Sequence, residues 1–319
     1  MNTVAKVKAK PLVKRNTRNS AKQKQGFRLF LFTTPLLIAV FVFSYLPLAF
    51  WSVAFFDYRL GFNLLDTPFV GLNHFTSLFA NVSIRMDFFR VLRNTLGMSF
   101  LAILVSPLPM FFAIALSEAR SKYFSRITQT ISTIPNFLSW VLIYALAFSM
   151  LSVNTGVVNN ILVEFGREPH NFLASPNNVW ITMTLYGVWR GLGWGAIIYI
   201  AAISGIDQEL FEAADIDGAS RMQRIRYIKV PCLLPTFFVL LLLSIGNFLN
   251  SDFERVFVFS NAMNIEAIET IDLFVFNRGL TGRNVPLATA VGMSRSLVSL
   301  VLLFTANALS KLFREESIF

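Results

Sequence analysis

The sequence contains very little cysteine and histidine. Its single cysteine, Cys232, excludes an intramolecular disulfide and a CxxC metal site. Cys232 falls at the start of a predicted membrane helix, so we expect a buried, unreactive thiol. The two histidines, His74 and His170, lie far apart in predicted loops. A metal centre built from clustered Cys and His side chains is therefore not expected.

Sequence motifs of common enzymes are also missing. The chain has no GxxxxGK[ST] phosphate-binding loop, no HExxH metalloprotease motif and no GxSxG nucleophile motif. The chain therefore lacks the loop with which P-loop proteins bind and hydrolyse ATP. We expect no catalytic residues and no cofactor on this chain.

Charged residues are scarce, at 14% of the chain, whereas hydrophobic residues make up 55% and the mean hydropathy is +0.58. Soluble globular proteins carry roughly 25% charged residues, so this composition indicates a chain embedded in lipid. Phenylalanine occurs 34 times, against 5 Trp and 7 Tyr. Phe has no polar group to satisfy in hydrocarbon, whereas Tyr and Trp prefer the membrane interface. The composition therefore predicts an integral membrane protein.

Six apolar runs approach the length of about 20 residues that a helix needs to cross the hydrocarbon layer of a bilayer. They cover residues 29–55, 92–117, 130–152, 179–203, 232–251 and 286–310. Pro107 and Pro109 interrupt the second run, and since each removes a backbone donor we expect a kink there. We predict an all-α membrane protein with six transmembrane helices.

Basic residues predict the orientation of these helices, because cytoplasmic loops carry an excess of Lys and Arg. Nine basic residues lie between Lys6 and Arg28, and nine more lie in the loops that share that side or after the last run. The opposite loops, 56–91, 153–178 and 252–285, are longer and carry fewer. We therefore expect both the N-terminus and the C-terminus to be cytoplasmic.

The chain is expected to divide into a basic cytoplasmic tail, 1–26, and a transmembrane domain, 27–319. The tail combines like charges with few apolar side chains, so we expect it to be disordered and close to lipid. A cleaved signal peptide is the competing interpretation, but its apolar run would be only about 7–15 residues long. The net charge of +10 could also indicate nucleic acid, but no aromatic-interleaved basic patch is present, so we expect no nucleic-acid partner.

The most informative segment is the loop 204–230, between the fourth and fifth runs. Asp207 is suited to cap a short helix, and Gly218 is suited to end it in the left-handed conformation. Ser220 is suited to cap a second, basic helix that leads through Pro231 into the membrane. The residues of the first helix expected to share one face are Ile206, Leu210, Ala213 and Ala214.

This arrangement is typical of a docking element for another protein. Ala213 and Ala214 keep one side of the helix thin enough to enter a groove, and Glu212 offers a charge for pairing, with Asp215 beside it. The turn at Gly218 sets the angle to the next helix, so movement of a partner would be passed to the fifth span. The alternative is an ordinary amphipathic helix that lies on lipid headgroups.

A longer pattern favours the docking interpretation. Glu212-Ala213-Ala214, Gly218, Ile228 and Pro231 match the spacing E-A-A-x3-G-x9-I-x-L-P of the inner-membrane components of ATP-binding-cassette importers. Val230 stands where that pattern prefers Leu. Further segments resemble the maltose-type sugar permeases of this family, namely 34–38, 45–47, 69–75, 93–95, 155–162 and 189–195. The resemblance extends from about residue 27 to the C-terminus.

The resemblance implies the type I importer permease fold and a multi-pass position in the bacterial plasma (inner) membrane. It implies as partners two ATPase subunits, a second permease subunit that we expect to be a different chain, and an extracytoplasmic solute-binding protein. ATP would close the ATPase pair, whose grooves hold the 212–218 helix, and would switch the permeases from inward-facing to outward-facing. The substrate would be a sugar, and the layout most resembles subunits that import polysaccharides or complex oligosaccharides.

Polar and aromatic side chains within the predicted spans are candidates for a sugar path, because such groups usually face a bundle interior or a water-filled cavity. Amides suit sugar hydroxyls, and flat rings suit the apolar C–H faces of a sugar. The candidates are Tyr186, Trp189, Trp194, Asn247 and Asn250. The alternative is an interfacial position for the rings and helix–helix hydrogen bonds for the amides. Arg190 and Arg295 are candidates for ion pairs that hold the bundle together.

Other classes of membrane protein stay open at this point. A permease of an importer for another solute, such as an amino acid, phosphate or a metal, would share the 212–231 pattern. A secondary transporter driven by an ion gradient is a further alternative, but it predicts more spans, often in two similar halves. A membrane scaffold without transport is the remaining class.

Overall fold

The chain folds into helices joined by short turns. A computed structural model describes residues 16–250 and 252–314. No strand forms within these residues, and Phe56 and Phe69 make an isolated antiparallel bridge. The α-helices are α1 Asn16–Val40, α2 Asn73–Ala80, α3 Val82–Leu104, α4 Leu108–Ser117, α5 Lys122–Thr133, α6 Trp140–Leu151, α7 Val157–Glu164, α8 Val179–Ser204, α9 Gln208–Ile216, α10 Arg221–Arg224, α11 Val230–Gly246, α12 Phe253–Phe259, α13 Ile265–Ile268, α14 Ile271–Phe276 and α15 Val285–Arg314. The all-α prediction is confirmed.

Residues up to Ser52 form one compact unit, and residues from Val53 onward form a second. In the first unit, α1 continues through a π-helical turn, Phe41–Tyr45, into a 3-10 helix, Leu46–Phe55, whose last three residues belong to the second unit. α1 begins at Asn16, which lies inside the segment 1–26 that we expected to be disordered. Residues 1–15 lie outside the described residues, so disorder there stays a prediction.

Six stretches of the described chain are candidates to cross a membrane. Four of them qualify as single helical stretches: Gly26–Phe55, Val82–Ser117, Arg221–Gly246 and Val285–Thr305. Two more are bent pairs, Lys122–Phe137 with Trp140–Leu151 and Val179–Ser204 with Gln208–Ile216. With each bent pair taken as one span, the candidates fall on the six predicted apolar runs.

The third apolar run differs from the single span expected over 130–152. Here α5 passes through a 3-10 turn, Ile134–Phe137, and then bends by 104° into α6. The side chain of Ser139 accepts a hydrogen bond from the backbone N–H of Leu142 at 3.4 Å. This cap begins a new helix, because it satisfies a donor that a continuous helix would have paired with its own backbone.

The second apolar run is interrupted where its prolines predict. α3 ends at Leu104 and α4 begins at Leu108, with Pro107 as the residue before α4. α3 begins at Val82, earlier than the predicted start at residue 92. Polar residues in its first turns, among them Arg85 and Asp87, hid that start from a search for apolar runs.

The core of the second unit is arranged around α8, which packs against α3, α4, α5 and α11. One buried cluster includes Met98, Trp140, Ile143, Met183 and Phe259. Another includes Met110, Ala113, Tyr199 and Leu233. α8 approaches α5 closely at Gly193, where an added methyl group would overlap the backbone carbonyl of Ser132. Small residues permit such close contact between membrane helices.

Large apolar side chains are exposed over much of the surface. Phe100 is 61% exposed, Leu142 57% and Leu300 50%. Soluble monomers rarely expose contiguous apolar surface of this kind, whereas a lipid-facing surface requires it. Cys232 is exposed, so the expectation of a buried thiol was wrong. It lies on the outward side of α11, next to the fully buried Leu233.

Candidate functional site

The loop between α8 and α11 has the local structure that its sequence predicts. The side chain of Asp207 caps α9 by accepting a hydrogen bond from the backbone N–H of Glu209 at 3.0 Å. Gly218 ends the helix with φ +69°, a conformation that costs a residue with a Cβ about 1 kcal/mol or more. The backbone N–H of Ala219 then donates to the carbonyl of Ala214 at 2.8 Å, as in a Schellman-type C-cap.

The second helix of the loop is also capped as predicted. Ser220 and Gln223 form a reciprocal capping box at the start of α10. α10 continues through a π-helical turn, Ile225–Lys229, directly into α11. The loop is therefore one short helix, a glycine turn, and a helical stretch without interruption from Arg221 to Gly246.

The side of α9 that packs on its own chain was not predicted from the sequence. Phe211 and Ala214 are half-buried, and the ammonium group of Lys229 lies 5.8 Å from the centre of the Phe211 ring. Of the four residues predicted to share a face, Leu210 is 47% exposed and Ala213 is exposed, whereas Ile206 and Ala214 are half-buried. The spacing argument did not single out Phe211.

The outward side of α9 carries Glu212, Ala213 and Ile216. Ile216 is 87% exposed, and the side chain of Glu212 is exposed and makes no hydrogen bond or ion pair within the described part of the chain. Asp215 is different, because it makes an ion pair with Arg224 across the Gly218 turn. Of the five predicted docking residues, Glu212 and Ala213 are therefore available to a partner, whereas Asp215, Ala214 and Gly218 hold the two helices of the loop together.

Glu118 ties this loop to the preceding part of the bundle. It follows α4 and accepts hydrogen bonds at 2.5 Å from Arg221 Nε and from Lys229 Nζ. Lys229 Nζ also lies 2.9 Å from Ser117 Oγ. Burial alone would raise the pKa of Glu118, but the hydrogen bonds and charges of Lys229 and Arg221 outweigh it and hold the pKa below its ordinary value.

Sequence reasoning did not single out Glu118. Its charged neighbours in that loop, Arg120, Lys122 and Arg126, are all basic. A lone acidic residue among basic ones, at the end of a predicted span, is the signal that could have identified it. The partners lie more than a hundred positions away in sequence, so the pairing itself could not be read from the chain.

The five candidates for a sugar path do not lie together. Tyr186 and Trp189 line an apolar cavity of about 360 Å³ between α6, α7 and α8. Trp194 is 51% exposed and packs edge-to-face on Phe137, with 5.9 Å between ring centres.

Asn247 and Asn250 are both exposed after the end of α11. Asn250 Nδ2 donates to Asn247 Oδ1 at 2.8 Å, and Asn247 Nδ2 donates to the carbonyl of Leu243 at 3.0 Å. The two amides thus satisfy each other in the described structure. No single described cavity contains all five of these residues.

A second cavity, of about 340 Å³, contains charged residues that are not among the five path candidates. We call it the charged cavity. It lies between α3, α4, α6 and α8 and is lined among others by Trp140, Arg190, Asp252 and Arg255. Arg190 Nη1 lies 4.0 Å from Asp252 Oδ2. The expectation that Arg190 pairs with an acidic residue is confirmed, as is that for Arg295, which pairs with Asp272.

These features define a helical membrane protein with several candidate spans, an exposed loop helix tied to one of them, and a charged cavity in the bundle. The family profile of the binding-protein-dependent transport system inner membrane component matches residues 105–315. The chain belongs to this family, and the resemblance identified in its sequence is confirmed. It is therefore a membrane-spanning permease subunit of a binding-protein-dependent transport system.

Known proteins resemble the chain over nearly its whole length. It is 34% identical to protein LplB of Bacillus subtilis, over 100% of both chains. It is 38% identical to the polygalacturonan/rhamnogalacturonan transport system permease protein YteP of the same organism, over 91% of this chain and 90% of that one.

A solved structure with the type I importer permease fold superimposes on the chain. It belongs to a bacterial ABC transporter involved in the import of the acidic polysaccharide alginate. The TM-score is 0.83 at 32% identity, and the superposition covers 93% of this chain and 99% of that one. The expected type I fold is therefore confirmed.

Proposed function

We propose that the chain forms the translocation path for a sugar, in the form of a complex oligosaccharide or polysaccharide, in an ATP-driven importer. The observation that carries the proposal is the outward face of α9, where the side chains of Glu212 and Ala213 have no partner among the described residues, on a helix that is firmly joined to α11. A solute-binding protein delivers the substrate, two ATPase subunits supply the energy, and a second, different permease completes the path. The complex lies in the bacterial plasma membrane with both termini of this chain in the cytoplasm.

The joint between α9 and α11 supports a mechanical role. The Asp215–Arg224 ion pair and the capping box of Ser220 limit bending at the Gly218 turn. From Arg221 onward the helix continues without interruption to Gly246. A force applied to Glu212 and Ala213 would therefore move the membrane-spanning part of α11 instead of being absorbed by a flexible loop.

The tie through Glu118 extends this coupling to a second span. Glu118 follows α4, so its bonds to Arg221 and Lys229 make the end of α4 move with the start of α11. ATP binding and release on the partner subunits would then shift the equilibrium between an inward-facing and an outward-facing arrangement of the bundle. The chain itself supplies no group for ATP hydrolysis in this scheme.

The sugar substrate is supported by the names of the relatives. Besides YteP, the relatives include the arabinooligosaccharides transport system permease protein AraP of Bacillus subtilis, at 28% identity over 90% of both chains. A second structure of the alginate transporter is in complex with an alginate pentasaccharide-bound periplasmic protein, which is the kind of partner proposed here.

Charge reversal at Glu212 tests the docking role. We expect Glu212→Arg to lower ATP-dependent oligosaccharide uptake by about tenfold or more. The substitution would place a positive charge against the basic group with which Glu212 is proposed to pair, and like charges in an interface cost several kcal/mol. Uptake by cells and co-purification of ATPase subunits from detergent-solubilised membranes are the two measurements. Glu164→Arg, an exposed acid at the end of α7, is the matched control and should change neither.

Either outcome is informative. Loss of both uptake and the ATPase subunits in Glu212→Arg, with the variant chain still in the membrane, supports the proposal. Normal uptake by the variant would remove the docking role of α9. Recovery of the wild-type chain without any ATPase, together with uptake that persists when ATP is depleted, would favour a carrier driven by an ion gradient.

A further inference from the structure

The charged cavity holds two arginines around one aromatic ring. Arg190 lies near the middle of α8, and Arg255 lies on α12. Their guanidinium carbons are 4.7 Å and 5.5 Å from the centre of the Trp140 ring, which is only 2% exposed. An ionised side chain within a membrane bundle is costly to keep there and usually serves a substrate or ion path.

Several hydrogen-bond donors in this cavity are unused. Arg190 Nε, Arg255 Nε and Trp140 Nε1 are buried and have no hydrogen-bond partner within the described residues. Ser106 Oγ, which also lines the cavity, is buried without a partner as well. A buried donor without a partner is destabilising, and more so when the donor is charged. These donors therefore indicate a ligand with acceptor atoms.

The protein's own acceptors satisfy the arginines poorly. Asp252 approaches Arg190 no closer than 4.0 Å, beyond hydrogen-bond distance. The carbonyl of Met183 accepts a hydrogen bond from Arg255 Nη1 at 3.3 Å. Two guanidinium groups and one carboxylate leave the cavity with one excess positive charge, in surroundings where water does little to screen it.

The remaining lining suits a sugar ring. Gly191 leaves open space on the α8 wall, and Gly187 makes room for the guanidinium group of Arg255. Pro109 and Leu192 add apolar surface to the lining. About 340 Å³ is near the lower size of a small-ligand pocket, roughly 300 Å³, so the cavity would hold a short segment of an oligosaccharide. A singly charged planar acceptor balances the excess charge and fits the fork of an arginine.

We propose that the charged cavity is a binding site for the carboxylate of a uronic acid unit, so that the substrate is an acidic oligosaccharide. Arg190 and Arg255 bind the carboxylate, and Trp140 donates through Nε1 to it or to an adjacent hydroxyl. The proposal rests on the proposed function, since it assigns the substrate class of the same path. Selection for negative charge thus occurs within the membrane, in this chain itself.

The test uses the complete importer in lipid nanodiscs, without its solute-binding protein, so that selection by that protein does not contribute. Binding of tetragalacturonate is compared with binding of its fully methyl-esterified form, which keeps the sugar chain and removes the charge. We expect the acidic form to bind about tenfold or more tightly, which corresponds to about 1.4 kcal/mol, because only the acidic form offers a charged acceptor to the arginines. Galacturonate and galactose 6-phosphate, compared as monomers, distinguish a carboxylate from a phosphate.

Substitutions in the charged cavity test whether it causes the preference for tetragalacturonate over its ester. Arg190→Gln and Arg255→Gln should reduce binding of the acidic form to the level of the ester and leave binding of the ester unchanged. Arg190→Lys keeps the charge without the planar fork and should give an intermediate preference. Arg93→Gln is the matched control, because Arg93 also stacks on a tryptophan, 5.9 Å from the centre of the Trp180 ring, but lines a different cavity.

Equal binding of tetragalacturonate and its ester by the wild type would overturn the proposal, as would an equal loss of both in Arg190→Gln. Tighter binding of galactose 6-phosphate than of galacturonate would overturn the choice of a carboxylate. If a glutamine variant fails to assemble, the test uses the assembled Arg190→Lys variant. An undiminished preference of that variant for tetragalacturonate over its ester would then overturn the proposal. Failure of the proposed function looks different, because no oligosaccharide, acidic or neutral, would then show ATP-dependent uptake.

Discussion

Two clusters of charged side chains in this protein share a composition and differ in geometry. Around Glu118, the cations Arg221 and Lys229 each approach the carboxylate to 2.5 Å. In the charged cavity, Arg190 and Arg255 surround Asp252, but the approach of Arg190 is 4.0 Å. Both clusters contain two cations for one acid, so charge alone does not distinguish them.

The difference lies in how far each cluster satisfies its own donors. In the Glu118 cluster, Arg221 and Lys229 both donate hydrogen bonds to the Glu118 carboxylate, and Lys229 also donates to the hydroxyl of Ser117. The charged cavity leaves Nε of both arginines without partners in the described residues. A cluster whose donors and acceptors all pair with one another contributes mainly to rigidity. A cluster with unpaired hydrogen-bond donors can pair them with a ligand. Substitutions should therefore affect stability at the first cluster and binding at the second.

The largest effect on stability is expected for Glu118→Gln. It leaves the ammonium group of Lys229, whose side chain is only 9% exposed, without its carboxylate. Removing one partner of a buried pair costs about 3 kcal/mol, so the midpoint of thermal unfolding should fall clearly. The measurement is thermal unfolding of the purified complex in detergent.

Glu164→Gln, at an exposed acid, is the control for Glu118→Gln and should leave the unfolding midpoint unchanged. If the two variants unfold at the same temperature, the Glu118 cluster does not stabilise the bundle. The proposed difference between a stabilising Glu118 cluster and a ligand-binding charged cavity would then be wrong.

A smaller effect on stability is expected for Arg190→Gln. Its contact with Asp252 is long and its stacking on Trp140 contributes about 1 kcal/mol, so the free energy of unfolding should change by about that amount. The same unfolding experiment measures it. A loss as large as that of Glu118→Gln would show that Arg190 is mainly structural and would weaken the contrast between the two clusters.

The smallest effect is expected from mild acidification. The pKa of Glu118 is lower in the folded chain than in the unfolded chain, so its contribution to stability is complete above the ordinary carboxyl pKa. That contribution is lost only as the pH falls through the lowered folded pKa. Between pH 7 and about pH 5 the difference in unfolding midpoint between wild type and Glu118→Gln should stay constant, and it should shrink at lower pH. A difference that already shrinks near pH 6 would contradict the lowered pKa.

Local features of this protein were predictable because short-range interactions produce them. The caps at Asp207 and Ser220 and the left-handed turn at Gly218 depend on residues within a few positions of one another, and all three were confirmed. The apolar runs were predictable for a similar reason, since crossing hydrocarbon demands length and composition. The 104° bend between α5 and α6 was not, because the run 130–152 looks continuous in composition.

The residues of the candidate site also fall into those predictable from nearby sequence and those that depend on tertiary packing. Glu212, Ala213 and Gly218 were predicted from spacing along one loop, and their docking role stays a prediction, whereas the charged cavity and the role of Glu118 were missed. Arg190 stood out as a charged residue in an apolar run, but nothing near it in sequence indicates that it shares a cavity with Trp140 and Asp252. Tyr186 and Trp194 looked alike as aromatic residues of α8. In the structure Tyr186 packs partly inside the bundle, whereas Trp194 is 51% exposed.

The sequence by itself determined that this chain spans a membrane, how its loop helix begins and ends, and to which family it belongs. Hydrophobic length, capping and a spaced motif are properties of neighbouring residues, so they do not depend on the rest of the fold. Only the tertiary structure decided which charges meet. Glu118 with Lys229, and Arg190 with Arg255 around Trp140, are brought together by packing around α8, and the energy of a charge depends on what surrounds it in space.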